Sequence, residues 1–250
     1  MNLKQLEKYL NDYLRVKEIS DSSQNGLQVE MKGPVNRIGL AVDASLETFR
    51  KAKKKNVNLI LVHHGLFWGQ PIEITKLFYK RISFLIKNNI GLYASHLPLD
   101  MHPEVGNNAQ IAEKLNLSNL KFFADYHGSD IGILGNLPKT LTYRSFIKNL
   151  KKVFKTDFKI LHFGKAKVKK IGIISGGGGS FVEAAAQIGV DVYLTGEISH
   201  SSYHSIKEYG LNCVFGGHYF TETFGVKALG KHLKKKFNLT TIFLDSPTGM

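Results

Sequence analysis

Cysteine is nearly missing from this sequence, and so are long apolar stretches. The chain has 250 residues and one cysteine, Cys213, which lies inside an apolar run. One thiol cannot form an intrachain disulfide, so we expect a protein of the reducing cytoplasm. No apolar run approaches the roughly 20 residues that a membrane span requires. Leu3, Leu6 and Leu10 favour an amphipathic helix over a signal peptide. The sequence therefore predicts a soluble cytoplasmic protein without a membrane partner.

Acidic residues are few relative to basic ones. The chain has 34 Lys and Arg against 20 Asp and Glu, a net charge of +14, and its lysines collect at residues 51–55, 148–155, 165–170 and 231–236. Such runs could attract nucleic-acid phosphates or an acidic small molecule, or could only solvate helix faces. Because no aromatic stacking strip or known binding motif accompanies the lysines, we expect weak nucleic-acid binding at most.

Histidines and carboxylates form the most informative pattern. His96 stands four residues before Asp100, His218 stands four residues before Glu222, and the adjacent pair His63-His64 ends an apolar run. In each case the histidines follow a predicted strand, at the carboxyl edge where open α/β sheets bind ligands. Two divalent ions roughly 3.5–4 Å apart need about five or six such ligands, and these segments supply that number. The pattern predicts a dinuclear metal centre.

An internal repeat indicates two related halves. Residues 37–42 and 57–62 resemble residues 170–175 and 190–195, and the same alignment places Glu197 opposite His64. Further on, the His96 motif falls opposite the His218 motif. Alternating strands and helices predict parallel sheets covered by helices on both faces.

We therefore expect an α/β fold of two similar three-layer domains, residues 1–125 and 126–250, with a metal site in the cleft between them. The first half carries His63, His64, His96 and Asp100, and the second carries Glu197, His218 and Glu222.

Four consecutive glycines, Gly176 to Gly179, join a predicted strand to a helix that starts near Ser180. Backbone N–H groups at such a junction could bind an anion, although the loop lacks the ending of a P-loop and is not a dinucleotide fingerprint. A plain tight turn between strand and helix is the other interpretation.

Five segments, in this order, resemble the Nif-three-like family, whose members are often called GTP cyclohydrolase I type 2 homologues. They are residues 20–30 (Ser-Asp-Ser-Ser-Gln-Asn-Gly-Leu-Gln-Val-Glu), 62–68 (Val-His-His-Gly-Leu-Phe-Trp), 95–108 (from Ser-His-Leu-Pro-Leu-Asp to Gly-Asn-Asn), 195–197 (Thr-Gly-Glu) and 217–222 (Gly-His-Tyr-Phe-Thr-Glu). The likeness extends over essentially the whole chain, so it is more specific than any single motif.

The resemblance implies two α/β domains, two divalent metal ions per chain (zinc, iron or manganese), and a homohexamer built as a dimer of trimers. Its metal ligands fall on His63, His64, Asp100, His218 and Glu222. His96 matches a histidine that need not touch metal, and we expect it to support the ligands or to transfer protons.

Because bound metal ions can activate a water molecule, the ligand pattern predicts hydrolysis of a nucleotide or related small molecule. His96, Glu197 or His204 would transfer protons. A GTP cyclohydrolase reaction would fit, although the usual enzyme of that name uses cysteine ligands that Cys213 alone cannot reproduce. The alternative is a non-catalytic metal-binding regulatory protein, or a toroidal protein associated with DNA.

Overall fold

The computed structural model describes residues 1–154 and 157–249. They form two compact units, one of Met1–Val105 with Gly225–Ser246, and one of Gly106–Phe224 with the residues from Pro247 on. In chain order the elements are α1 (Leu3–Tyr13), β1 (Gly26–Val29), β2 (Arg37–Asp43), α2 (Leu46–Lys54), β3 (Leu59–His64), α3 (Lys76–Lys87), β4 (Gly91–Ala94), α4 (Leu97–Asp100), α5 (Asn107–Lys114), β5 (Ser118–Tyr126), β6 (Ser129–Thr142), α6 (Tyr143–Val153), β7 (Lys159–His162), β8 (Lys167–Ile174), α7 (Val182–Gln187), β9 (Val192–Thr195), α8 (Ser202–Glu208), β10 (Asn212–Phe215), α9 (His218–Phe237) and β11 (Thr240–Phe243).

The first unit is built on a five-stranded sheet in the order β1-β4-β3-β2-β11. Neighbouring strands are parallel except for β1, which runs antiparallel to β4. Along β3, Leu59 and Leu61 belong to one buried cluster while Ile60 and Val62 belong to another. Because successive side chains of a strand point to opposite faces, both faces of this sheet are buried. Helix α1 packs its leucines into the first cluster, as its periodicity predicts.

The second unit has a six-stranded sheet in the order β5-β6-β8-β9-β10-β7. Strands β8, β9 and β10 are parallel, and the remaining pairs are antiparallel. Val192 and Leu194 of β9 lie in the apolar cluster that contains Phe146 of α6. Tyr193, between them, is also fully buried and so points to the opposite face.

The mixed α/β class is confirmed, but the prediction of wholly parallel sheets is wrong at the edges. Strands β5 and β6 are joined by His127 and Gly128, both with positive φ, 54° and 85°. Two such residues form the tight turn of a hairpin, and a hairpin joins only antiparallel strands.

The described units also divide the chain differently from the predicted halves. The predicted boundary between residues 125 and 126 falls inside β5. The chain returns to the first unit within α9, and β11 pairs with β2. Among residues 1–154 and 157–249, no helix is long and apolar enough to cross a membrane.

Candidate metal centre

The ends of two neighbouring strands position the candidate ligands of the first unit. His63 and His64 are the last residues of β3, and β4, which lies beside it, ends two residues before His96. His96 caps the short helix α4, whose last residue is Asp100. Parallel strands that end at one edge thus bring together residues from separate sequence motifs. His63 is fully buried, and its Nε2 lies 3.4 Å from Oδ2 of Asp100.

Each of these imidazoles is oriented by a hydrogen bond from Nδ1. His63 Nδ1 donates to the carbonyl oxygen of Ser95 (3.0 Å), and His64 Nδ1 donates to Oδ1 of Asp43 (2.8 Å). His96 Nδ1 donates to the Asp21 carboxylate, 2.9 Å from Oδ1. Carbonyl and carboxylate oxygens only accept, so Nδ1 carries a proton in each ring, and in the neutral form of the ring the lone pair is on Nε2. This is the arrangement that metal-binding histidines adopt.

The carboxylate of Asp21 is itself held from several sides. It accepts hydrogen bonds from Nδ2 of Asn25 (2.8 Å) and from the backbone N–H groups of Ser23 and Leu97 (3.0 Å each). Burial opposes ionisation, but the hydrogen bond and charge of His96, followed by the other donors, outweigh it and lower the pKa of Asp21. Asp21 therefore stays a carboxylate and keeps the His96 ring in one orientation.

The three imidazoles form a compact cluster. The ring centroids of His63 and His64 are 4.7 Å apart, and those of His63 and His96 are 5.0 Å apart. One ring nitrogen from each of the three lies within 4.8 Å of the others. These groups could hold a metal ion, because imidazole nitrogen is a ligand of zinc, iron and other divalent transition metals.

In the second unit the first turn of α9 carries the candidate ligands. Nε2 of His218 lies 3.1 Å from Oε1 of Glu222, which is one helical turn further on. Nδ1 of His218 lies 2.8 Å from Oε1 of Glu197, in the loop after β9. The Glu222 side chain is almost fully buried, whereas that of Glu197 is 45% exposed.

The imidazole of His218 thus lies between two carboxylates. The hydrogen bond to Glu222 raises the pKa of His218 to about 9. Burial opposes this shift, and the charge and hydrogen bond of Glu197 add to it. A cation is therefore favoured at this position. A proton on the imidazole satisfies the preference in the metal-free protein, and His218 and Glu222 could hold a divalent ion in its place.

The glycine-rich loop contacts this pair of candidate ligands. A Cβ atom on Gly176, whose φ is +65°, would lie 2.1 Å from Oε1 of Glu222. Gly176 N donates to Thr221 Oγ1 and Gly178 N donates to Thr195 Oγ1, both at 3.0 Å. Two backbone donors of the loop are thereby used within the protein. The loop therefore packs closely against the side chain of Glu222.

His204, which we expected to transfer protons, lies exposed on α8 with its ring edge-on to Tyr203. In the described part of the chain it is not a member of a ligand cluster. Sequence analysis missed Asp21 and Asp43 as partners of histidines. In the sequence, Asp21 is recognisable only as a member of the family segment 20–30, and Asp43 only as a polar residue at the end of an apolar strand.

The donor set of each unit suits a divalent transition metal. It combines imidazoles that are oriented by hydrogen bonds from Nδ1 with carboxylates that are largely buried, Asp100 in the first unit and Glu222 in the second. A buried carboxylate is costly unless a cation or several donors compensate it. The histidine and carboxylate groups could therefore hold a metal ion. The dinuclear centre stays a prediction.

Comparison with known proteins agrees with the motifs. The sequence model of the Duf34/NIF3 (NGG1p interacting factor 3) family matches residues 1–248. A GTP cyclohydrolase 1 type 2 homolog from Deinococcus radiodurans is 42% identical over 98% of this chain and 94% of its own length. The crystal structure of TTHA1606 from Thermus thermophilus has 40% identity and a TM-score of 0.90, with both chains fully covered. Reduced HcgD from Methanocaldococcus jannaschii has 30% identity and a TM-score of 0.86, with 98% of each chain covered. The chain belongs to the Duf34/NIF3 family.

Proposed function

We propose that this protein is a dinuclear divalent-metal hydrolase that acts on a nucleotide or a related small molecule. The observation that carries the proposal is the pairing of each candidate histidine with a fixed hydrogen-bond acceptor. His64, His96 and His218 each direct Nδ1 to a carboxylate. Three imidazoles oriented in this way indicate a metal site far more specifically than three histidines that happen to lie near a surface.

We propose five ligands for the two ions. They are His63, His64, Asp100, His218 and Glu222. When bound, the two ions would lower the pKa of a water towards about 7 and polarise the group under attack. The number of ligands supports the proposal, since a single tetrahedral ion needs about four protein groups at most.

His96 is proposed to transfer the proton. Its Nδ1–H is held by Asp21, so Nε2 is the nitrogen that can accept a proton and return it. Glu197 accepts a hydrogen bond from His218, so we assign it to orienting that ligand, with proton transfer as a second role. No contact supports a role for His204, which stays a sequence-based prediction.

A cyclohydrolase reaction is consistent with these roles. Water adds its oxygen to the carbon between the two imidazole nitrogens of a purine, the bond from that carbon to one nitrogen breaks, and the released nitrogen takes a proton. We assign the delivery of that proton to His96. The name of the Deinococcus radiodurans relative makes GTP the first substrate to test.

Metal analysis tests the proposal directly. We expect about two divalent ions per chain after preparation with excess zinc or manganese, as in two-metal hydrolases. Asp100→Ala and Glu222→Ala should each lower the metal content while leaving the far-ultraviolet circular dichroism unchanged. One ion or none in the metal-replete wild-type protein would refute the dinuclear centre.

Turnover separates the hydrolase from a metal-binding regulatory or DNA-associated protein. We expect His96→Gln to keep most of its metal and to slow hydrolysis by about 10²- to 10⁴-fold, the usual cost of a lost proton-transfer group. If substrate screening finds no hydrolysis and ligand substitutions affect only stability, the regulatory alternative is correct.

The resemblance to the family also leads us to propose a cytoplasmic homohexamer, arranged as a dimer of trimers. Light scattering on the eluting protein should give about six times the chain mass of 28.0 kDa.

A further inference from the structure

The chain contains one tryptophan, Trp68, and it lies beside the histidine cluster. The indole ring is 5.0 Å from the ring of His96 and nearly perpendicular to it, and 6.0 Å from the ring of His64. Trp68 is only partly buried. A large aromatic surface thus adjoins polar, metal-binding groups.

The loop that carries Trp68 is fixed on both sides. Trp68 forms an isolated antiparallel bridge with Ser23. Gln24 N donates to Phe67 O (3.0 Å), and Gly69 N donates to Ser22 O (2.6 Å). The indole ring is therefore held in place before any ligand arrives, and a preorganised surface loses little entropy on binding.

The polar atom of the indole is used within its own loop. Nε1 of Trp68 donates to the carbonyl oxygen of Gly65 at 3.2 Å. Recognition by Trp68 therefore depends on the apolar, electron-rich ring and not on a hydrogen bond. Planar aromatic rings are the groups that such a surface binds best, by offset or edge-to-face stacking.

From these contacts we infer that Trp68 is a specificity-determining residue that binds a planar heteroaromatic ring of the substrate by stacking. The inference rests on the proposed function, because it places that ring beside the residues that would hold metal and transfer the proton. A purine base has the required shape. Trp68 would select substrates that carry such a ring over sugar phosphates and aliphatic amides.

Because Trp68 is the only tryptophan, its fluorescence reports on this site alone. The zinc-loaded protein is titrated with guanosine, GTP and tripolyphosphate, with excitation at the red edge of the indole band, where guanine absorbs only weakly, and the signal is corrected for that absorption. We expect saturable quenching by guanosine and GTP, and none by tripolyphosphate. Equal quenching by tripolyphosphate, or no binding of guanosine and GTP, would overturn the inference.

Variants then test the ring itself. Equilibrium dialysis with labelled GTP should show about 5- to 150-fold weaker binding to Trp68→Leu, the equivalent of about 1–3 kcal/mol per stacked base. Trp68→Phe should recover most of the affinity, and Tyr79→Leu, which removes an exposed aromatic ring elsewhere in the first unit, should bind as the wild type does. Unchanged binding to Trp68→Leu would contradict stacking.

Metal content and turnover are measured on the same samples. We expect Trp68→Leu to keep the wild-type metal content, since it removes no ligand. Where the wild-type protein binds guanosine but does not hydrolyse any nucleotide, the proposed hydrolase function fails while the stacking site stands. Where hydrolysis occurs with equal efficiency on substrates that lack an aromatic ring, stacking fails while the hydrolase stands.

Discussion

Substitution of Gly176 by alanine tests how closely the glycine-rich loop fits the ligands of the second unit. The new Cβ would lie 2.1 Å from Oε1 of Glu222 and 3.2 Å from Nε2 of His218. Since the nearest atom is the end of a flexible side chain, the carboxylate can retreat, but by more than about 1 Å before ordinary van der Waals contact is reached. We therefore expect metal binding to suffer more than folding does.

The cost to stability comes mainly from the backbone. Gly176 has a φ of +65°, in the left-handed region, where a residue with a Cβ loses roughly 1–2 kcal/mol. Gly189 has nearly the same φ, +68°, and a Cβ there would meet nothing within 4 Å. Gly189→Ala is thus a matched control that introduces the same strain without touching a ligand.

Calorimetric titration of the metal-free proteins with zinc measures the difference. Gly176→Ala should bind zinc at least about 10-fold more weakly than Gly189→Ala, the lower limit for disturbing a metal ligand through its support. In EDTA the two variants should unfold at similar temperatures, both below that of the wild type. Equal zinc affinities for the two variants would show that the loop does not position Glu222 for metal binding.

Three further predictions follow from contacts in the two units. The pKa of His218 is raised from 6.5 to about 9, so its charged form stabilises the metal-free protein below pH 6.5. This stabilisation is lost as the pH rises through about 9, and melting temperatures in EDTA should fall over that window. A constant melting temperature would contradict this. Asp21→Asn should slow hydrolysis about 10- to 100-fold by releasing His96 and should keep most of the metal, whereas Asp12→Asn, at an exposed carboxylate, should change neither property. Replacing Lys234, Lys235 and Lys236 by glutamine should leave metal content unchanged, and any DNA binding should be weak and lost near physiological salt; salt-resistant binding that depends on these lysines would favour the DNA-associated alternative.

The strand ends that carry the candidate ligands were predictable because the signal is local. In β3 an apolar run passes directly into His63 and His64, so the sequence alone places both at the edge of a sheet. The partners of the histidines were not predictable in this way. Asp21 is 75 residues from His96, and no spacing rule links them. Only the folded chain brings the carboxylate of an early loop to the end of β4.

The strand pairing at the edges of the sheets could not be predicted from the sequence for a related reason. The predicted domain boundary between residues 125 and 126 lies beside His127 and Gly128, whose left-handed conformations form a turn between β5 and β6. Polar residues are common to linkers and hairpin turns, and strand pairing decides between the two. The pairing of β11 with β2 joins residues about as far apart in the chain as any in the first unit, so it left no local pattern.

That last pairing has a consequence for how the protein is made. Strand β2 cannot acquire its neighbour β11 until Thr240–Phe243 have left the ribosome, whereas the segment Gly106–Phe224 is complete earlier. Phe243, the last residue of β11, follows Phe224 by 19 residues, which takes about 1–4 s of synthesis at ~5–20 residues per second. During that interval the later-numbered unit has its full set of strands and the first unit has an exposed edge. The last strand of the second unit therefore leaves the ribosome before the last strand of the first unit does.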